Sequence, residues 1–188
     1  MQLNKQNKIS WRYLAGFYDG EGTIGFRVVK EKRLSRIGGE LDGWYISPYL
    51  QIANTNIKIM KIIQNFLRDK GVIYHIVSIV SKVPKNKNYQ KGYYLAVQSY
   101  NGIKKFLKNI SPVSMKKEQI KIVNEFFKIR NKLPILKRGT KIDNLKRNYW
   151  TKELFLKAMK LRDELKNTKF RKNTKHKYNY DYFQKLWG

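Results

Sequence analysis

The chain has 188 residues, enough for one domain with a real core plus an extension but short for two full domains. Its 41 Lys and Arg against 13 Asp and Glu leave a formal charge of +28, a self-repulsion that calls for an anionic partner, nucleic acid ahead of a membrane surface. With no Cys and only two histidines, the distant His75 and His176, disulfides, Cys-based zinc sites and thiol catalysis are excluded, and any metal must be held by oxygen.

Ser10 is the expected N-cap of a first helix over residues 10–19, with Trp11, Leu14, Ala15 and Tyr18 at helical spacing and Gly20 and Gly22 stopping it. Residues 23–33 switch to period two, Ile24, Phe26 and Val28 pointing one way and Gly25, Arg27, Val29, Glu31 and Arg33 the other. After a loop around Gly38-Gly39, residues 45–53 alternate again, Ile46, Pro48, Leu50 and Ile52 opposite Tyr45, Ser47, Tyr49, Gln51 and Ala53. Pro48 argues there for an edge strand or a bulge. Residues 57–70 fit an amphipathic helix with Ile59, Met60, Ile62, Ile63, Phe66 and Leu67 in one stripe, and Gly71 stands where a helix end favours the left-handed region.

Two more strands are expected over 72–83 and 93–99, joined by the polar loop 84–92. In the second, Tyr93, Leu95 and Val97 alternate with Tyr94, Ala96 and Gln98. Helical patterns return at 102–108 and 114–132, the latter burying Ile122, Val123, Phe126 and Ile129. Residues 1–132 therefore read as an α+β core of order αββαββα, its four-stranded antiparallel sheet packed on helices by one face and open on the other. Residues 133–150 read as a basic linker. Residues 151–188 hold a last helix from the cap Thr151 to Lys166, with Leu154, Ala158, Leu161 and Leu165 on one side. A tail follows that mixes Lys and Arg with Phe170, Tyr178, Tyr180, Tyr182, Phe183 and Trp187; it is either disordered basic chain or an ordered nucleic-acid contact.

One segment carries chemistry. An isolated Asp-Gly-Glu-Gly is a helix-to-strand turn, but Leu14-Ala15-Gly16-Phe17-Tyr18-Asp19-Gly20-Glu21-Gly22 resembles the LAGLIDADG motif of homing endonucleases. Leu14, Ala15, Gly16, Asp19 and Gly22 are identical to it, Glu21 keeps the second carboxylate, and the resemblance covers roughly residues 8–132. It implies an αββαββα fold with a saddle-shaped sheet, and the single motif resembles the homodimeric branch. Small Ala15 and Gly16 then let two copies of the helix approach at a twofold axis, with Leu14, Tyr18 and Asp19 completing the dimer interface.

The resemblance further implies that Glu21, with Gly20 beside it, binds Mg²⁺ or another divalent cation such as Mn²⁺ and is catalytic, whereas Asp19 is structural. It places Asn54 near the scissile phosphate or its water, the alternative being an N-cap for the helix that begins near Ile57. Lys116 matches a solvent-polarising lysine, with Lys117 one register away, and Lys58 a basic residue early in the second helix, or a plain solvated lysine. Arg27, Glu31, Arg33, Tyr45, Ser47, Tyr49, Gln51, Tyr94 and Gln98 lie on the strand faces assigned to the DNA major groove, and the remaining lysines contact phosphates.

The expected function is thus an intron-encoded homing endonuclease that cleaves a long pseudo-palindromic duplex as a homodimer. Alternatives are an intron RNA-splicing maturase using basic surface outside the saddle, and a non-cleaving DNA-binding regulator, against which the retained acid argues. No apolar run approaches the roughly 20 residues that span a bilayer and the N-terminus has no signal-peptide apolar core. A soluble intracellular protein is expected, with no membrane partner, and richness in Lys, Asn, Ile and Tyr fits an AT-rich organellar or microbial gene.

Overall fold

Ser10 accepts the Tyr13 N–H at 3.2 Å and starts α1 (Trp11–Glu21). The computed structural model describes residues 9–32, 41, 43–72, 75–79, 92–136, 147–148, 150–168 and 178–187. Helix α1 is followed by β1 (Gly22–Lys30), β2 (Trp44–Asn54), α2 (Ile57–Asp69), β3 (His75–Ile79), β4 (Gly92–Val97), α3 (Tyr100–Ile110) and α4 (Lys117–Asn131). This is the expected αββαββ succession closed by helices. Gly20 does not stop α1, which continues to Glu21 and passes directly into the extended backbone of Gly22 (φ −88°, ψ 150°). Gly22 is required for space instead, because a Cβ there would lie 2.0 Å from Cδ2 of Tyr18.

The four strands form one sheet in the order β1-β2-β4-β3, with β4 antiparallel to both β2 and β3. Strand β2 is therefore interior, not the edge that Pro48 suggested. Its pairing with β4 begins only at Leu50, opposite Val97, so the missing proline N–H costs no hydrogen bond on that side.

The chain divides into two compact units: residues 1–24 with 48–117, and residues 25–47 with 118–188. In the first, α1 buries Leu14, Ala15 and Tyr18, and the Tyr18 ring meets Phe106 of α3 edge-on at 5.4 Å. Trp11 stands edge-on to Phe66 of α2 at 5.1 Å and to Phe106 at 6.1 Å. Asn56 caps α2, accepting from Lys58 and Ile59 N–H, and the helix buries Met60, Ile63 and Leu67 while Ile62 is left exposed. Gly71 adopts φ 65° as expected, and the bond from Val72 N–H to the Leu67 carbonyl at 2.9 Å closes that end.

In the second unit Phe26 of β1 packs on Phe126 of α4 at 4.5 Å. Helix α4 begins at Lys117 rather than at Ser114 and buries Ile120, Ile122, Val123, Phe126 and Phe127, with Ile129 only half-buried. Within residues 133–150 two short strands, β5 (Ile135–Leu136) and β6 (Arg147–Asn148), pair antiparallel. Thr151 caps α5 (Lys152–Asn167), whose buried side is Phe155, Ala158, Met159 and Leu165; Leu154 and Leu161 lie at its margin. The stripe is rotated because α5 meets α6 (Tyr180–Trp187), an element the tail pattern did not suggest. Phe183 of α6 is fully buried, 4.9 Å from Phe155 and 5.1 Å from Trp44 of β2. Arg162, itself buried, donates to the Tyr178 carbonyl at 2.7 Å, and Asp163 accepts the Tyr180 N–H at 3.0 Å. Residues 178–187 are thus folded chain; Phe170 lies outside the described residues.

Candidate active site at the end of the first helix

The two acids of the motif end in different surroundings. Asp19, half-buried, receives the Ser114 hydroxyl at 2.6 Å and the Met115 N–H at 2.7 Å, partners 95 and 96 residues further along the chain. Glu21, the last residue of α1, is exposed, and its carboxylate makes no hydrogen bond or ion pair with any described residue. One carboxylate is locked and the other is free.

Lys116 closes the same helix end. Its Nζ donates to the carbonyls of Tyr18 at 2.9 Å and Gly22 at 2.6 Å, and sits 4.7 Å from the centre of the Tyr18 ring. The last carbonyls of a helix lack intrahelical donors and carry partial negative charge, so a lysine there satisfies both needs. Burial lowers the Lys116 pKa and the nearby Asp19 charge works against that shift. Burial, then Asp19, pushes the Tyr18 phenol above its ordinary range, and its hydroxyl has no hydrogen-bond partner among the described residues. Lys117 is exposed at the start of α4, whereas Lys116 is the lysine that reaches the end of α1.

Oxygen donors suit Mg²⁺ or Ca²⁺, and the free Glu21 carboxylate at the open Gly20-Glu21 corner fits one. Among the described residues no group of three or more His, Cys, Asp or Glu could hold a metal.

Asn54 ends β2, and its Oδ1 accepts the Asn56 N–H at 2.8 Å. It is not the helix cap, which is Asn56, and its amide NH₂ has no partner among the described residues. Lys58 is exposed on the first turn of α2. On β2, Tyr45, Ser47, Tyr49 and Gln51 are half-buried and alternate with buried Ile46, Pro48, Leu50 and Ile52, as the period-two pattern requires. On β4, Tyr94 is half-buried opposite Ala53, and Gln98 is exposed just past the strand. Ala96, opposite Gln51, is fully buried, so that face is not open along its whole length. Arg27 is exposed on β1, Glu31 donates its N–H to the Gly43 carbonyl at 2.9 Å, and Arg33 lies outside the described residues.

Leu14, Ala15 and Tyr18, expected at a dimer interface, point into their own chain's core. The open side of α1 carries Tyr13, Gly16, Phe17 and Gly20, three and four residues apart, with Tyr13 stacked on Phe17 at 6.2 Å. Beyond the helix's own backbone and the adjoining residues, no heavy atom of the described residues lies within 4 Å of a Cβ built at Gly16 or Gly20. Sequence reasoning missed Tyr13, Phe17 and Ser114; the i, i+3, i+4, i+7 spacing marks the first two, while nothing local marks the partner of Ser114.

No family model matches the chain. An uncharacterised protein of Methanocaldococcus jannaschii is 33% identical over 90 residues, which are 48% of this chain and only 27% of that protein. Among solved structures, an archaeal intron-encoded homing endonuclease complexed with DNA superposes with a TM-score of 0.64 at 16% identity, covering 94% of this chain and 93% of that one. The homing endonuclease I-CvuI, in complex with its target in the presence of Ca, gives 0.63 at 16% identity, covering 93% and 90%. The LAGLIDADG homing endonuclease I-GzeII, in complex with a DNA target, gives 0.54 at 15% identity, covering 82% of this chain and 44% of that one. The chain has the LAGLIDADG homing-endonuclease fold.

Proposed function

We propose that the chain is one subunit of a homodimeric, site-specific endonuclease that hydrolyses both strands of a DNA duplex with a divalent metal. The observation that carries the reading is the unpartnered Glu21 carboxylate at the end of a helix whose open side is Tyr13, Gly16, Phe17 and Gly20. Two chains meeting along that side bring two Glu21 carboxylates together into a shared oxygen donor set, the glycines allowing close backbone approach.

Glu21 and the adjacent Gly20 main chain would hold the metal, Mg²⁺ or Mn²⁺. A divalent cation bound there supplies Lewis-acid polarisation of a phosphate oxygen and a more acidic water. The free Asn54 amide can donate to a phosphate oxygen or to its water. Arg27, Tyr45, Ser47, Tyr49, Gln51 and Tyr94 on the strands, Glu31 and Gln98 just past strand ends, and Arg33 would read base edges in the major groove. The +28 charge is spent on phosphates, so affinity falls steeply with salt. The DNA complexes among its structural neighbours, and the Ca present with I-CvuI on its target, support duplex binding with a divalent cation. The resemblance of the motif extends the reading to an intron-encoded enzyme with a long pseudo-palindromic site.

Incubation with Mg²⁺ and a plasmid library of random sites, followed by sequencing of the ends, should yield paired cuts at one long near-palindrome. Glu21→Gln should bind that site as a dimer and leave it intact. Wild-type cutting by this variant, or a monomer on the DNA, overturns the proposal.

A further inference from the structure

Among the described residues Glu21 has no hydrogen bond or ion pair that would aim it. The residues on either side of it are held firmly. Two residues before, Asp19 is bound by Ser114 Oγ at 2.6 Å and Met115 N–H at 2.7 Å. One residue after, the Gly22 carbonyl accepts Lys116 Nζ at 2.6 Å, and the same Nζ holds the Tyr18 carbonyl at 2.9 Å. Three consecutive residues, 114–116, therefore grip the helix end on both flanks of Glu21. Ser114 joins the two grips: almost wholly buried, it donates to Asp19 and accepts the Lys116 N–H at 3.2 Å.

We infer that residues 114–116 are a clasp that aims the Glu21 carboxylate, and that Ser114 and Lys116 are positioning residues acting through Asp19 and the Tyr18 and Gly22 carbonyls. The inference deepens the endonuclease reading and rests on it. It also changes the part expected of Lys116, since two of its three N–H donors are spent on carbonyls rather than offered to solvent. The last turn of a helix frays readily, and a carboxylate on a fraying end samples directions that a metal or phosphate cannot use. Groups that orient a metal-binding carboxylate matter nearly as much as the carboxylate itself. A clasp of merely structural value would, when broken, weaken folding and duplex binding together. A positioning clasp loses metal uptake and turnover while duplex binding persists.

The test compares the full-length wild type with Ser114→Ala, Ser114→Thr and Lys116→Met by three readouts. These are Mn²⁺ affinity by electron spin resonance, binding of the recovered target duplex in Ca²⁺, and its cleavage rate in Mg²⁺. Ser114→Ala and Lys116→Met should each lose about 10- to 100-fold in Mn²⁺ affinity and cleavage rate with duplex affinity little changed. Ser114→Thr, which keeps the hydroxyl, should recover most of both. Ala cutting and taking up Mn²⁺ like wild type, Thr no better than Ala, or a parallel loss of duplex binding overturns the clasp. Should Ser114→Ala fail to fold, Lys116→Met decides by the same outcomes. A wild type that neither takes up Mn²⁺ nor cuts any site overturns the endonuclease reading itself, whereas variants indistinguishable from an active wild type overturn the clasp alone.

Discussion

Lys116 lies over the ring of Tyr18, 4.7 Å from its centre, and donates from Nζ to the carbonyl of that same residue at 2.9 Å. The ammonium is thus taken partly out of water by the residue it caps. Burial lowers its pKa, against the opposing pull of Asp19. The folded chain then binds this proton less tightly than the unfolded chain does. Its charge costs stability below the folded pKa, and stability is regained as pH climbs through that value toward the ordinary lysine range. Denaturant melts of wild type and Lys116→Met at several pH values, without metal, should show the difference moving in favour of wild type on the alkaline side. A difference that moves the other way would mean that the Asp19 attraction outweighs burial.

The glycines of the motif should separate cleanly. A methyl at Gly22 would meet the Tyr18 side chain, so Gly22→Ala should cost about 1–3 kcal/mol in urea unfolding. Gly16→Ala adds a methyl into open space on a helix and should raise stability at low protein concentration by about 0.5–1 kcal/mol. If a second chain packs on that side, the same variant weakens self-association in sedimentation equilibrium. Unchanged self-association would move the dimer contact off this face.

Tyr18→Phe removes a buried hydroxyl that has no hydrogen-bond partner among the described residues. Truncating a polar atom that is already unsatisfied should leave stability within about 1 kcal/mol of wild type, or raise it. A clear loss in calorimetry would reveal a partner for the phenol in solution.

Phe183 is fully buried between α5 and β2, and Phe183→Ala should cost about 3–5 kcal/mol in unit stability, seen as a lower unfolding midpoint. Proteolysis near residues 178–187 should accelerate with it. A variant as stable and as resistant as wild type would show that α6 contributes nothing to the second unit.

Much of the fold was legible. The alternation along β2 matches burial residue for residue from Tyr45 to Ala53, because side chains on a strand must point to opposite faces. Ser10, Gly71 and Thr151 serve as the helix boundaries their chemistry suggested. The failures share one cause. Pro48 indicated an edge strand or a bulge, Leu161 a buried stripe and Ala96 an open face, and in each case the outcome depends on what the folded chain packs against that residue. Helix α6 went unanticipated for the same reason: eight residues make no stable helix alone, and α6 exists by packing Phe183 against Phe155 and Trp44.

At the candidate site the division is sharpest. Backbone periodicity and the small, acidic and apolar residues of 14–22 were sufficient to locate the helix, its end and two carboxylates, since those properties are local. Which carboxylate is left open was not local. Asp19 and Glu21 carry the same group two residues apart, and they differ because Ser114 and Met115, brought back across some 95 positions, occupy the first and not the second. Hydrogen bonds of that reach exist only once the chain has folded.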